Sequence, residues 1–255
     1  MADERYDNEI WDEFRWGEHL DEIERKSEQL RSFIASDSPT NTPRWLMLLK
    51  ENNNKKEAVD AFIEEELQIE EAYFPEEDDW DEDDDPDYWE DIEDWEDEFF
   101  FNDYEETEDY DEGEEWKALS EDFTLTNNGS IETLPVYNQA HELAVYILQW
   151  AEELPPRLRN DNCSHFIDKI LQIGAKLAGG YSFGFEQDLL GGNIANTKKA
   201  LFAANHALQI LSDDLKASNY LSKLEYQLLH ERLFALRNNI GIYVQDLRDL
   251  FYRGF

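Results

Sequence analysis

From Glu64 to Glu115 the chain carries 31 Asp and Glu and no Lys or Arg in 52 residues. Neighbouring carboxylates in an extended chain lie well inside the Debye length of about 8 Å, so they repel one another and oppose compaction of this stretch by itself. Yet it is threaded with rings: Trp80, Trp89, Trp95, Phe99, Phe100, Phe101, Tyr104 and, just beyond, Trp116. A ring buried on another surface hides about 150–250 Å², worth several kcal/mol gross at about 25 cal/mol per Å², whereas a ring left in water among like charges gains nothing. Three or four such anchors suffice for binding. The expectation is therefore a partner-binding segment in which the charges select a basic surface and the rings hold it. Two other readings compete: the rings fold back on the chain's own helices or on a sister subunit, or the segment only solubilises.

The acidity belongs to one half of the chain. Residues 134–255 hold 12 Lys and Arg against 13 Asp and Glu, and residues 1–133 hold 10 against 49. The net charge of -40 repels phosphate backbones and anionic lipid, so direct nucleic-acid binding and membrane association are not expected. Cys163 is the only cysteine, which excludes an intramolecular disulfide and a multi-cysteine zinc site. The opening "MADERYDNEIWDEF" has neither a basic region nor an apolar run, and no window approaches eighteen apolar residues. A cytoplasmic location is expected.

Three regions follow: a helical arm over 1–73, the acidic-aromatic segment over 74–133, and a helical bundle over 134–255. In the arm, Asn8–Ala35 is an amphipathic pattern with Trp11, Phe14, Leu20, Ile23, Leu30, Phe33 and Ile34 to one side, broken by "SDSPTNTP". "RWLMLLKE" after Pro43 and Lys55–Tyr73 continue it, with too few apolar positions for an independent core. In the last region apolar residues recur every three and four positions across four segments. The first starts at Pro135 and ends at "LPPRL"; the second spans about Asp161 to Ala178 and stops at Gly179-Gly180. The third repeats Leu190, Ile194, Thr197, Leu201, Ala204, Leu208, Leu211 and Leu215, and the fourth starts at a capping box, Ser222 with Glu225. Four such helices with short links predict an all-α, up-down-up-down bundle. The first is apolar around more than half its circumference, so Tyr137, Leu143, Ile147 and Trp150 are candidate subunit-interface residues, with a dock for the N-terminal half as the alternative.

The segments "LPVYNQAHELAVYILQWAEELP", "IGAKLAGGYSFGFE", "GGNIANTKKALFAANHALQIL" and "YLSKLEYQLLHERLFALRNNIGIYVQDLRDLF" resemble the four-helix-bundle family encoded within 23S ribosomal RNA intervening sequences, which includes the accessory variability protein of diversity-generating retroelements. The resemblance covers Leu134–Phe251. It implies a bacterial homo-oligomer, often a pentameric ring, without catalytic residues, some members of which bind nucleic acid and a reverse transcriptase through a basic surface. This chain departs from the family in its nearly neutral bundle and its acidic first half.

Chemistry-bearing patterns are few. "RNDNCSH" matches the arginine, polar residue and histidine of HEPN-type metal-independent ribonucleases. There His165 would serve as general base on a ribose hydroxyl and Arg159 would stabilise the phosphorane charge. The structural alternative is a helix start capped by Asn160 or Asp161 with His165 partly buried. "DDWDEDDDPD" lacks the glycine and final glutamate of an EF-hand, and inward-facing Glu-x-x-His repeats are absent, so neither a metal nor a cofactor is expected. The glycine pairs 179–180 and 191–192 make no phosphate loop and fit turns or close packing. The reading is a non-enzymatic oligomeric scaffold or adaptor that docks on a basic protein, such as a nucleic-acid-processing one. The alternatives are a nucleic-acid mimic that inhibits a DNA- or RNA-binding protein, and a ribonuclease using Arg159 and His165.

Overall fold

Side chains close the first turns of most helices. Asp12 Oδ1 accepts from the amides of Phe14 and Arg15 at 3.0 and 2.9 Å. Asn54 and Glu57 bond reciprocally, Asn160 Oδ1 accepts from Cys163 N at 3.2 Å, and Ser222 and Glu225 form the expected capping box. In the computed structural model, which describes residues 10–36, 42–71, 125–126, 129–215 and 221–253, the chain is all-α. Its helices are α1 (Glu13–Ser36), α2 (Arg44–Glu51), α3 (Lys55–Glu71), α4 (Pro135–Glu153), α5 (Asp161–Phe183), α6 (Leu190–Ile210) and α7 (Lys223–Arg253). The described residues otherwise hold short 3-10 and π turns and a two-residue antiparallel pairing of β1 (Leu125–Thr126) with β2 (Gly129–Ser130). None of the described helices is long and apolar enough to cross a membrane.

Two boundaries differ from the sequence expectation. α1 begins at Glu13, not Asn8, because the Asp12 cap leaves Trp11 ahead of the helix. α5 runs through Gly179-Gly180 to Phe183 and stops at Gly184, whose φ of +86° is left-handed backbone that suits glycine. The glycine pair is there for contact. A Cβ on Gly180 would sit 2.9 Å from Thr197 Oγ1 and 3.1 Å from the Asn193 carbonyl oxygen. The pair at 191–192 likewise lies inside α6, not in a turn.

α4, α5, α6 and α7 touch in a closed circuit, each against the next and α7 against α4. α3 lies across α4 and α5, and α2 lies on α3 and α5. One apolar core runs through all of these, joining Trp45, Val59 and Phe62 of the arm to Ile147, Phe166, Ile170 and Leu233. The arm is thus part of the core, as its shortage of apolar positions required. The end of the 74–133 region is also tied in, since Ile131 is buried in that core and the Tyr181 hydroxyl donates to the Gly129 carbonyl at 3.0 Å. α1 stands apart, resting on α6 through a small cluster of Leu20, Ile23 and Ala195 with Trp16 and Phe183.

Gly180→Ala is expected to destabilise the protein by about 1–3 kcal/mol through overpacking. Gly241→Ala is the contrasting case: a Cβ there meets nothing within 4 Å on a helix, so the substitution is expected to stabilise by about 0.5–1 kcal/mol. Thermal melts of the two variants should shift in opposite directions.

Candidate functional site

Charge gathers at the seam where α1 lies on α6. The seat is tight: a Cβ on Gly191 would fall 2.3 Å from the Trp11 carbonyl oxygen, so only glycine admits the chain there. Trp16 meets Phe183 at 5.0 Å and Trp11 at 5.2 Å. Around these rings the acids of α1 find cations from three helices. Glu13, only 4% exposed, receives Arg248 Nε and Nη2 at 2.9 Å and Lys198 at 3.1 Å. Glu24 pairs with Lys176 at 2.6 Å and Lys199 at 2.9 Å, and Lys199 also meets Asp21. Lys198 Nζ further lies 4.9 Å above the ring of Phe14. Burial raises the carboxyl pKa of Glu24, but Lys176 and Lys199 outweigh it and hold the group below the usual carboxylate range. A cavity of about 470 Å³ remains at this seam, with Lys169 and His206 also on its walls.

A second cavity of about 550 Å³ opens between α3, the 3-10 turn Ile131–Thr133 and α4. Asp60 and Glu64 stand one turn apart on α3, Tyr137 and His141 one turn apart on α4, and Glu132 on the short turn between them. His141 Nε2 and Asp60 Oδ1 are 2.7 Å apart, which fixes the imidazole against α3. Tyr137 is 9% exposed, and its phenol pKa is raised by burial first and then by Asp60, Glu132 and Glu64. Ile63, Leu67, Ile131 and Ala178 supply apolar wall. A shallower groove shares Lys56, Asn138 and His141 and continues past Glu142 and Val145. The described residues lining both spaces include no Ser, Cys or Thr.

The residues singled out from sequence fare differently. Arg159 donates from Nε to the Leu154 carbonyl at 3.0 Å and from Nη2 to the Glu152 carbonyl at 2.8 Å, so it holds the end of α4. His165 is exposed on α5, not partly buried. Cys163 is buried, and burial pushes its thiol up to about 12, which keeps it protonated and unreactive. Leu143 and Ile147, expected at a subunit interface, are each 1% exposed inside the chain's own core, and Tyr137 faces the second cavity. The excess apolar surface of α4 is covered by α3 of the same chain. Trp150 is half-buried and meets Phe166 edge-on at 6.3 Å. Trp80, Trp89, Trp95, Phe99, Phe100, Phe101, Tyr104 and Trp116 lie outside the described residues. Among the described residues no three His, Cys, Asp or Glu side chains converge to hold a metal ion.

Sequence reasoning missed the second cavity. Its signal was two one-turn pairs, Asp60 with Glu64 and Tyr137 with His141, but only folding brings them together from positions 81 apart. No protein-family model matches the chain, and comparison with curated proteins and with solved structures yields no significant match.

Because the Glu24 carboxyl is depressed in the folded chain, the stability it contributes is present above its ordinary value of 4.5 and is lost as pH falls through the lower folded value. Melts of the native chain and of Glu24→Gln should therefore differ at pH 7 and draw together as pH falls through the depressed folded value. Glu13→Ala should strand Arg248 and Lys198 and loosen α1 by about 1–3 kcal/mol. Hydrogen exchange should then quicken roughly tenfold or more in α1 while α5 keeps its protection.

Proposed function

We propose that this chain is a non-enzymatic scaffold or adaptor whose acidic-aromatic segment, 74–133, docks on the basic surface of a protein partner. That partner class includes nucleic-acid-processing proteins. Residues 134–255 form the platform, an up-down-up-down four-helix bundle. The closed contact circuit of α4 to α7 supports that architecture.

One observation carries the docking reading: α1 already does the same thing within the chain. Its Trp16 ring seats in a small apolar cluster while Glu13, Asp21 and Glu24 take up Lys176, Lys198, Lys199 and Arg248. The segment 74–116 repeats that composition at higher density, with no cations of its own. Exposed ion pairs contribute little to affinity each, so charge sets the encounter rate and partner choice, and ring burial sets the lifetime. The carbonyl contacts of Arg159 favour the non-enzymatic reading over a ribonuclease, since the guanidinium is occupied at the end of α4.

Self-association is assigned to α7 in place of α4. Leu224, Leu228 and Ile242 are 76, 47 and 61% exposed, and Leu228, Ala235 and Ile242 follow one another at heptad spacing along one face.

Affinity purification from the native cell, at low and moderate salt, should recover a basic protein with the full chain and lose it when residues 74–116 are deleted. Unchanged recovery overturns the docking role. The double variant Leu228→Glu/Ile242→Glu should reduce the assembly to monomer in light scattering without lowering the thermal midpoint, and an unaltered mass removes α7 from the interface.

A further inference from the structure

The outer face of α7 carries apolar residues that no described helix covers, and their spacing has a symmetry of its own. We propose that this stripe is a docking surface for α7 of a second copy of the chain, laid antiparallel across it about a twofold axis at Ala235. The inference rests on α7 being the element of self-association.

Spacing comes first. Leu229, Leu233, Leu236 and Ile240 are buried in the core, so Leu224, Leu228, Ala235 and Ile242 make up the opposite, exposed side of the helix. Ala235 stands midway, with Leu228 seven residues before it and Ile242 seven after. A contact between two identical surfaces must be self-complementary, so residues placed symmetrically about the axis meet one another. With the axis at Ala235, Leu228 of each copy comes level with Ile242 of the other, and each Ile242 enters between Leu224 and Leu228, one turn apart. The smallest side chain of the stripe then sits where the two helices cross, the point at which bulk would hold their axes apart.

Charge decides the direction. Glu231, Asp246 and Asp249 flank the stripe. A parallel twofold pair is necessarily in register, and it would set each of these carboxylates against its own counterpart. In the antiparallel pair each Glu231 lies four residues from the axis, so the two are eight residues apart, about 12 Å and beyond the Debye length of about 8 Å. Glu231 instead comes level with Asn239 of the second copy, and Lys223 with the turn that holds its Asp246 and Asp249. Both ends of the seam gain the same pairing. A head-to-tail contact would need a second, different patch, such as the exposed rings of Phe202 and Phe234. Phe234 lies about 100° round the helix from Ala235, off the stripe, and that arrangement would leave no Ala235 facing another.

The test places cysteines in the full chain, whose own Cys163 is buried, and follows disulfide formation under diamide on non-reducing gels. Ala235→Cys is expected to link two chains at least about tenfold faster than Leu228→Cys alone. The two Leu228 positions are about 21 Å apart in this geometry, outside the disulfide reach of about 7 Å between Cα atoms. The double variant Leu228→Cys/Ile242→Cys should link efficiently and stop at two chains. Thermal melts and light scattering under reducing conditions establish that each variant is folded and dimeric. Equal linking by Ala235→Cys and Leu228→Cys marks a parallel pair, a ladder of larger species from the double variant marks a head-to-tail contact, and either overturns the proposal. So does linking that appears only after residues 74–116 are deleted, which makes that segment the occupant of the stripe. If Leu228→Glu/Ile242→Glu leaves the mass unaltered, the assignment of self-association to α7 fails with it; if the mass falls but Ala235→Cys does not link, the antiparallel docking alone fails. Recovery of a basic partner through 74–116 is read separately from all of these.

Discussion

Among the described residues the most extensive helix contact is the approach of α5 to α6, and the other helices of the core pack around that pair. Both helices bring glycine to the seam: Gly180 of α5 lies against Asn193 and Thr197, and Gly192 of α6 lies against the Phe183 ring. Glycine inside a helix costs about 1 kcal/mol relative to alanine, and here dense contact offsets that cost. Polar groups then set the register. Asn193 donates from Nδ2 to the Gly184 carbonyl at 2.9 Å, and Thr197 Oγ1 lies 3.3 Å from Asn193 Oδ1, all within the interior. A slip of either helix would break the Asn193–Gly184 bond, while the Thr197 bond, made within α6, holds the Asn193 side chain in place for it. With α6 so close on one side, α5 is left to bury its remaining surface under α2, α3 and α4, and from Ile173 to Tyr181 no residue of it is exposed.

That central pair gives the charged half something to rest on. Lys176 rises from α5, Lys198 and Lys199 from α6, and Arg248 from α7, so four of the twelve cations of residues 134–255 meet on one face. α1 covers the face with acids and rings. Few of its ion pairs are worth much singly, because most keep a partner in water. Glu13 is different: two cations share its buried carboxylate, and losing it would leave both without a counter-charge. The near-neutrality of this half conceals a segregated charge.

The parts legible from the sequence were those decided by neighbours within one or two turns. Ser222 with Glu225 and Pro135 marked helix starts because capping and fixed φ are local chemistry, and the rhythm of Leu229, Leu233, Leu236 and Ile240 marked the buried side of α7. The errors came where a residue type has two uses. Gly179-Gly180 reads as a stop, yet both lie within α5 because Thr197 and Asn193 press against the second of them. The apolar excess on α4 left two readings open, an interface between copies or a dock for the N-terminal half, and it is α3 of the same chain that covers it. Asp60 and His141 could not be joined at all, since nothing in either local pattern points to the other.

By itself, then, the sequence determined an all-helical chain split into a strongly acidic and a nearly neutral half, because helix periodicity, capping and net charge are properties of residues close together in the chain. Only the tertiary structure decided that the arm completes the core, that lysines from separate helices meet under α1, and that a phenol, an imidazole and three carboxylates enclose one cavity. Those outcomes depend on which helix faces come into contact, and that choice is made by shape and packing across long sequence separations.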